Sequence, residues 1–220
     1  MADFTWSFSS LKEYINCPKK YQEVRILKNY SFVDTPQTIY GKEVHEALEL
    51  YVRDNKPLAK NYLRFKKMVD TLVAIPGEKY PEYKMALTKK MEQCDFEDEN
   101  RWVRGIADLV IVDQDKAFII DYKTGSNKYP DTKQLKLMAL MAFVCFPEVN
   151  KIKAGLLFCM KNSFVQESYT REGIHKAWKS FEQPLDRLTM SYEKDEWVPN
   201  PTPLCGWCPV ETCEHHKPRK

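Results

Sequence analysis

Apolar residues recur at helical spacing in four stretches of this chain. These stretches predict helices over residues 37–55, 58–72, 132–145 and 173–192. Pro184 lies inside the last stretch and predicts a break or a kink there. Ser10 and Glu13 fit a capping box, so a shorter helix is expected to begin near Ser10 and to end or bend at Pro18.

The middle of the chain changes to the short apolar runs that are typical of β-strands. Strands are predicted over residues 83–92, 102–112, 117–123, 152–160 and 163–170. Helices therefore precede and follow a small sheet that has one helix between its strands. This order predicts a mixed α/β core wrapped by helices. After Trp197 the chain is rich in proline and then in cysteine, which predicts an irregular tail.

Composition narrows the class of protein. The chain has 220 residues, 43% of them hydrophobic and 30% charged, which is typical of a soluble globular domain. It excludes collagen, coiled coils and disordered chains. The formal net charge of +3 leaves a nucleic-acid partner open without requiring one. We find no apolar run of about 20 residues and no leader-like N-terminus, so we expect a cytoplasmic protein without membrane contact.

Two aspartates and a lysine lie on neighbouring strands of a predicted hairpin. A turn centred between residues 114 and 115 places Asp108 opposite Asp121, with Lys123 on the same face. Opposed like charges destabilise a sheet, and a divalent cation between them would remove the repulsion. Carboxylate ligands favour Mg²⁺ or Mn²⁺, and a nearby lysine could stabilise charge on a phosphoryl oxygen or position a water. The alternative is a surface hairpin with three solvated charges.

Gln134 and His45 are further candidates for the same site. Gln134 lies on the apolar stripe of its predicted helix, so its amide is expected to point inward and to need a partner. His45 lies at the edge of another apolar stripe, one turn after Gly41, which leaves room for a second element to approach. The alternatives are a satisfied core glutamine and a structural histidine.

Six motifs occur in the order found in one family: Phe8–Tyr21, Gly41–His45, Gly105–Asp108, Asp121–Gly125, Gln134–Leu135 and the C-terminal cysteines. The chain resembles the RecB-nuclease-like branch of the PD-(D/E)XK superfamily. Within that branch it is most similar to members that hold an iron–sulfur cluster, such as the AddB nuclease domain and the CRISPR adaptation exonucleases. The resemblance covers residues 8 to 213.

The resemblance implies a restriction-endonuclease-like α/β fold, a central mixed sheet flanked by helices, in a single domain over residues 1–220 with a core near 37–170. It implies that His45, Asp108, Asp121 and the main-chain carbonyl of Tyr122 bind metal. Lys123 matches the catalytic lysine, and Gln134 matches the glutamine that supports the site. The family's usual tyrosine four positions later is Met138 here.

The resemblance also implies an activity and partners. Family members hydrolyse DNA phosphodiester bonds, commonly as exonucleases on single strands or ends. Recombination, repair or phage DNA processing in a bacterium would suit such an enzyme. The chain has no helicase motif, so an unwinding partner would be a separate protein.

Four cysteines at the two ends of the chain form a second candidate site: Cys17, Cys205, Cys208 and Cys213. Four thiolates suit a [4Fe–4S] cluster or a structural zinc ion, and either would join the segments 8–28 and 197–216. The resemblance favours the iron–sulfur cluster, although Cys208 and Cys213 enclose four residues where relatives often have five. His215 and His216 are substitute ligands if the metal is zinc. The other three cysteines are interpreted as ordinary thiols.

Two other functions fit parts of the sequence. One is a DNA-binding or assembly module that keeps the nuclease fold without turnover, although all five active-site residue types are present. The other is a zinc-stapled nucleic-acid-binding protein with an incidental hairpin. Basic residues on one predicted helix face are Lys60, Arg64 and Lys67. Candidates for base stacking, if they line the entry to the site, are Phe96, Trp102, Tyr122 and Tyr129. The alternatives are solvated charges and core aromatic residues.

Overall fold

The structure is a computed structural model that describes residues 4–31, 33–126, 128 and 130–217. The chain divides into two units. The sheet unit is Asp34–Trp178, and the terminal unit combines Met1–Val33 with Lys179–Lys220. Within the described residues, no helix combines the length and the apolar character needed to cross a membrane.

The α-helices are α1 (Phe8–Asn16), α2 (Pro18–Tyr21), α3 (Pro36–Asp54), α4 (Lys66–Val73), α5 (Lys133–Cys145) and α6 (Ile174–Lys194). A π-helix and two 3₁₀-helices occupy Gln22–Ile26, Lys60–Phe65 and Pro203–Trp207. The stretch predicted as one helix over 58–72 is therefore a 3₁₀-helix followed by α4.

Five strands form one mixed sheet in the spatial order β1–β2–β3–β4–β5. They are β1 (Glu78–Thr88), β2 (Arg101–Asp113), β3 (Lys116–Lys123), β4 (Lys151–Phe158) and β5 (Ser163–Thr170). The β3–β4 pair is parallel and the other pairs are antiparallel. A parallel pair needs a crossover, and α5 provides it. The predicted mixed sheet flanked by helices is confirmed, although β1 begins before the expected residue 83.

Helices α3 and α5 differ in how they are stabilised. Thr35 caps α3 and exchanges hydrogen bonds with Thr38, and Asn55 ends the helix with a φ of 53°. Helix α5 is buried along most of its length, as expected for a helix that is apolar nearly all round. On another face of the sheet, residues of β2 and β3 pack with α3 and α4 in one core cluster.

The structure corrects the start of the first helix and refines the predictions for two prolines. Ser7, not Ser10, caps α1, because Ser7 is extended and its hydroxyl accepts from the Ser10 backbone while Ser10 accepts from the Ser7 backbone. Pro18 ends α1 as expected, but it also begins α2, where a missing N–H costs nothing. Helix α6 continues through Pro184, so the helix is not broken there, whereas the alternative of a kink stays a prediction.

Candidate active site

The β2–β3 hairpin has the predicted register, with Asp113 opposite Lys116 and Val110 opposite Ile119. The paired ladder ends at Leu109 and Ile120, one position before the two aspartates would face each other. There the Oδ2 atom of Asp108 accepts a hydrogen bond of 2.6 Å from the backbone N–H of Tyr122. A carboxylate thus replaces a backbone partner at the point where the ladder ends.

Asp121, Lys123 and Gln134 form a closed triangle of two hydrogen bonds and one ion pair. The Nε2 atom of Gln134 donates to Oδ1 of Asp121 over 2.6 Å. The Nζ atom of Lys123 lies 2.6 Å from Oδ2 of Asp121 and donates to Oε1 of Gln134 over 3.1 Å. The Gln134 amide therefore points inward, as predicted from its helix position. Gln134 thus holds Asp121 and Lys123 in fixed positions. The charges of a solvated surface hairpin would have no such shared partner.

His45 reaches the same place from α3. Its Nδ1 atom lies 3.4 Å from Oδ1 of Asp108, and its ring meets the Tyr122 ring edge-on at 5.8 Å between centroids. Gly41 permits this approach, because a Cβ atom there would lie 3.1 Å from Oγ1 of Thr124. The structure thus brings His45, Asp108, Asp121, Lys123 and Gln134 together, although the sequence spreads them over ninety positions.

Glu82 completes the cluster and was missed by the sequence reasoning. Ligand atoms of Glu82, His45 and Asp108 lie within 4.8 Å of one another. Pro81 pairs with Leu109 and Tyr83 with Ala107, so Glu82 stands opposite Asp108 in register. Its φ of 48° is a left-handed conformation within a strand, which marks a strained and often functional position. Pro81 was the sequence signal that could have pointed to Glu82, because a proline disrupts the hydrogen-bond ladder of a strand.

Crowded carboxylates shift the protonation of this cluster. Burial and the charge of Asp108 raise the pKa of Asp121 to about 6, against the opposing effect of Lys123. Burial and the Asp108 charge likewise raise the pKa of Glu82 to about 7. Burial lowers the pKa of His45, but its contact with Asp108 outweighs this and the net pKa is raised. Carboxylate and imidazole donors held together with excess negative charge fit a divalent cation.

The family model for the PD-(D/E)XK nuclease superfamily matches residues 5–213. The chain belongs to the PD-(D/E)XK nuclease superfamily. Membership supports hydrolytic nuclease activity, and nucleases of this superfamily use divalent metals. No curated protein sequence matches this nuclease.

Two solved structures are similar to this chain at low sequence identity. A candidate exonuclease from Eubacterium rectale is 12% identical with a TM-score of 0.55, over 98% of this chain and 89% of that one. The structure of SSO0001 is 13% identical with a TM-score of 0.47, over 99% and 89% of the two chains. The likeness to the first of these structures establishes a common fold.

The raised pKa values of the nuclease site predict a pH-dependent stability. The pKa of Asp121 lies above its usual 3.8 and that of Glu82 above its usual 4.5, so folding favours their protonated forms. This stabilisation is present at low pH and is lost as pH rises from about 4 to about 7. In EDTA, the melting temperature of the wild type should therefore fall relative to that of the Glu82→Gln, Asp121→Asn double variant over this interval.

Divalent metal should remove that loss, because metal binds the deprotonated carboxylates. Thermal unfolding from pH 4 to 7, with EDTA or with MnCl₂, measures both effects. If the melting temperatures of the wild type and the double variant changed in parallel with pH in EDTA, the raised pKa values of Glu82 and Asp121 would be contradicted.

The four candidate cluster cysteines line one cavity of the terminal unit: Cys17, Cys205, Cys208 and Cys213. His215 and His216 line the same cavity. Among the described residues, these thiols do not form a group whose sulfur atoms lie within 4.8 Å of one another. Cys145 and Cys159 are buried, as expected for ordinary thiols, and Cys94 is half-buried.

The aromatic residues proposed for base stacking have other neighbours. Tyr122 is 2% exposed and packs inside the core, so its assignment as a stacking residue is wrong. The ring of Trp102 packs against that of Trp178. Phe96 lies beneath the cations of Lys84 and Arg104. Tyr129 lies outside the residues that the structure describes.

Proposed function

We propose that the protein is a Mg²⁺- or Mn²⁺-dependent deoxyribonuclease, acting as an exonuclease on single-stranded DNA or DNA ends. The observation that carries this proposal is the triangle of Asp121, Lys123 and Gln134 beside His45 and Asp108. A buried carboxylate, a lysine and a second carboxylate at one edge of a sheet are the groups that phosphodiester hydrolysis needs.

His45, Asp108, Asp121 and the Tyr122 carbonyl would hold the metal ion. Glu82 is a further candidate ligand, because its carboxylate lies close to the His45 imidazole and the Asp108 carboxylate. When bound, the ion lowers the pKa of a water and polarises the scissile phosphate. Oδ1 of Asp121 accepts a hydrogen bond from Gln134, and Oδ2 forms an ion pair with Lys123. A carboxylate has further lone pairs, so Asp121 can also bind a cation.

Lys123 and Gln134 act on the substrate side of the site. The Lys123 side chain is 35% exposed, whereas its partner Asp121 is 8% exposed, so the ammonium group faces the opening. It orients the attacking water or stabilises the charge that develops on the phosphoryl oxygens. Gln134 keeps that ammonium group and the Asp121 carboxylate in one geometry, so little reorganisation is needed during the reaction.

The finer placement of the enzyme rests on the order of its motifs. We place it in the RecB-like branch, in recombination, repair or phage DNA processing in a bacterial cytoplasm, with any helicase as a separate chain. The family match spans both the sheet unit and the terminal unit, which supports one nuclease domain made from the whole chain.

Digestion of end-labelled DNA tests the proposed function. Single-stranded and double-stranded substrates are incubated with Mg²⁺, Mn²⁺ or EDTA, and the products are resolved by length. We expect cleavage that requires metal and that shortens single strands progressively from an end. Retardation of the DNA on a gel without any metal-dependent cleavage would instead identify a binding module.

We propose further that Cys17, Cys205, Cys208 and Cys213 hold a [4Fe–4S] cluster. All four line one cavity, which supports a shared ligand. The resemblance to iron–sulfur members of the family favours this cluster over zinc, for which His215 and His216 would be substitute ligands in the same cavity.

The colour of the protein tests the cluster. Protein purified without oxygen should be brown, and Cys205→Ser should bleach it because one of four ligands is lost. Cys94→Ser, in the sheet unit, is the matched control and should leave the visible absorption unchanged. A colourless protein with one equivalent of zinc would contradict the iron–sulfur assignment.

A further inference from the structure

Part of the sheet surface is left uncovered by the helices. Residues of β3, β4 and β5 that share one face stand in four rows across the strands. The rows are Lys116–Lys151–Thr170, Phe118–Lys153–Ser168, Ile120–Gly155–Gln166 and Tyr122–Leu157–Phe164. Helices α3 and α4 pack on the β3 side of this face, where Ile120, Tyr122 and Leu157 join the core. We call the uncovered remainder the β4–β5 face.

Three lysines crowd one end of the β4–β5 face. Lys116 and Lys151 are direct register neighbours, and Lys153 follows two residues later on the same side. All three are exposed, and within the described part of the chain none of them makes a salt bridge or side-chain hydrogen bond. Asp113 is the register partner of Lys116 across the hairpin, yet it forms no ion pair with it. Adjacent like charges cost stability, so an anion is the ligand this arrangement lacks.

An aromatic ring lies at the other end. Phe164 is 43% exposed, and its ring lies directly over Gly155, where a Cβ atom would come within 2.1 Å of Cζ. Glycine therefore lets the ring rest on the strand with its outer side open to solvent. The other β5 side chains on this face are uncharged, because Gln166, Ser168 and Thr170 follow Phe164 at every second position.

A groove joins the two ends of the β4–β5 face. One cavity of about 420 Å³ is lined by Phe164, Phe118, Lys153 and residues of α4. An adjoining cavity of about 300 Å³ shares Phe118 and Lys153 and reaches Lys116 and Lys151. From the lysine row to the Phe164 row, six residues of strand span about 20 Å. The Phe164 row includes Tyr122, whose ring contacts that of His45 at this end of the sheet. Asp121 and Lys123 point to the other face, so a bound strand would pass around the ends of the strands to reach them.

We infer that the β4–β5 face binds single-stranded nucleic acid that extends from the active site. Lysines without protein partners neutralise phosphates, and an exposed ring offers a stacking surface to an unpaired base. A duplex keeps its bases stacked inside and would leave Phe164 unused. The inference rests on the proposed nuclease function, which it deepens by giving the substrate strand a second contact surface.

Equilibrium binding of fluorescent oligothymidylate, measured in EDTA over a range of salt concentrations, tests the inference. The variant Lys116→Gln, Lys151→Gln, Lys153→Gln should bind at least tenfold more weakly at low salt. Its slope of log affinity against log salt should decrease by about 2, since each phosphate contact on a single strand contributes about 0.7. The matched control replaces three exposed lysines of α6 that have no partner in the described chain: Lys176→Gln, Lys179→Gln, Lys194→Gln.

Phe164→Leu separates stacking from charge. We expect it to weaken binding about tenfold with an unchanged salt slope, because a base–ring stack is lost and no phosphate contact is. Equal binding by the β4–β5 lysine variant and the α6 control would overturn the inference. So would a change in oligomeric state that is confined to the β4–β5 variants, since the face would then serve a second copy of the chain.

Hydrolysis of bis(p-nitrophenyl) phosphate with Mn²⁺ distinguishes a failure of the inferred β4–β5 binding face from a failure of the proposed nuclease function. This small diester reaches the active site without touching the β4–β5 face, so all of these variants should cleave it at the wild-type rate. Normal hydrolysis with unaltered oligothymidylate binding by the lysine variant would overturn the inference and leave the nuclease function intact. A wild type that hydrolyses neither the diester nor DNA would instead refute the nuclease function, while the binding comparison would still decide the inference.

Discussion

Asp121→Asn is expected to abolish DNA cleavage, with a loss of about 10³-fold or more. The carboxylate is buried, accepts from Gln134 and pairs with Lys123, so its negative charge serves both the metal ion and the lysine. The metal supplies several kcal/mol of transition-state stabilisation, and about 1.4 kcal/mol corresponds to tenfold in rate. Single-turnover cleavage of end-labelled DNA in Mn²⁺ measures the loss.

The asparagine variant should keep the fold, because its side chain still accepts the hydrogen bond from Gln134. Asp113→Asn is the matched control, since it removes a carboxylate at the other end of the same hairpin. We expect the control to cleave normally and the Asp121 variant to bind Mn²⁺ far more weakly in calorimetry. Undiminished cleavage by a folded Asp121→Asn protein would refute the proposed site.

Lys123→Met is expected to reduce cleavage by about 10²- to 10³-fold, the range for loss of one charged group that stabilises the transition state. Unlike the Asp121 change, it should not weaken metal binding, because it removes a positive charge from the neighbourhood of the cation. The pair of variants thus separates the group that holds the metal from the group that acts on the substrate. Rate constants and Mn²⁺ affinity are measured on the same preparations.

Lys176→Met is the control for this second prediction, as an exposed lysine of the sheet unit on α6. A wild-type cleavage rate for Lys123→Met would show that the ammonium group has no part in the reaction. Loss of both metal affinity and cleavage would assign Lys123 to the support of Asp121 rather than to the substrate.

The hairpin register and the inward amide could be predicted because they depend on local periodicity. Asp113 opposite Lys116 fixes the rest of the register by counting, since a sheet repeats every two residues. Gln134 was predicted to point inward because it interrupts an apolar helical stripe. The sequence could not show that the ladder stops one pair early, since Asp108 competes with the backbone for Tyr122.

Glu82 escaped prediction because a left-handed residue inside a strand breaks the periodicity on which sequence reasoning relies. The β1–β2 residue pairs on both sides of Glu82 hold it in place, and these pairs join residues that are far apart in the sequence. The stacking role for Tyr122 failed for a related reason, since that ring packs into the core cluster beneath α3. Residue type predicted the chemistry of the site, whereas burial decided which side chains can reach it.

Anomalous diffraction from crystals soaked in MnCl₂ tests the proposed metal site, because it locates the cation itself. We predict a manganese peak within ligand distance of His45, Asp108 and Asp121, with the Tyr122 carbonyl beside it and Lys123 outside the ligand sphere. A strong peak elsewhere, or carboxylates of Asp108 and Asp121 turned away from a common ion, would contradict it.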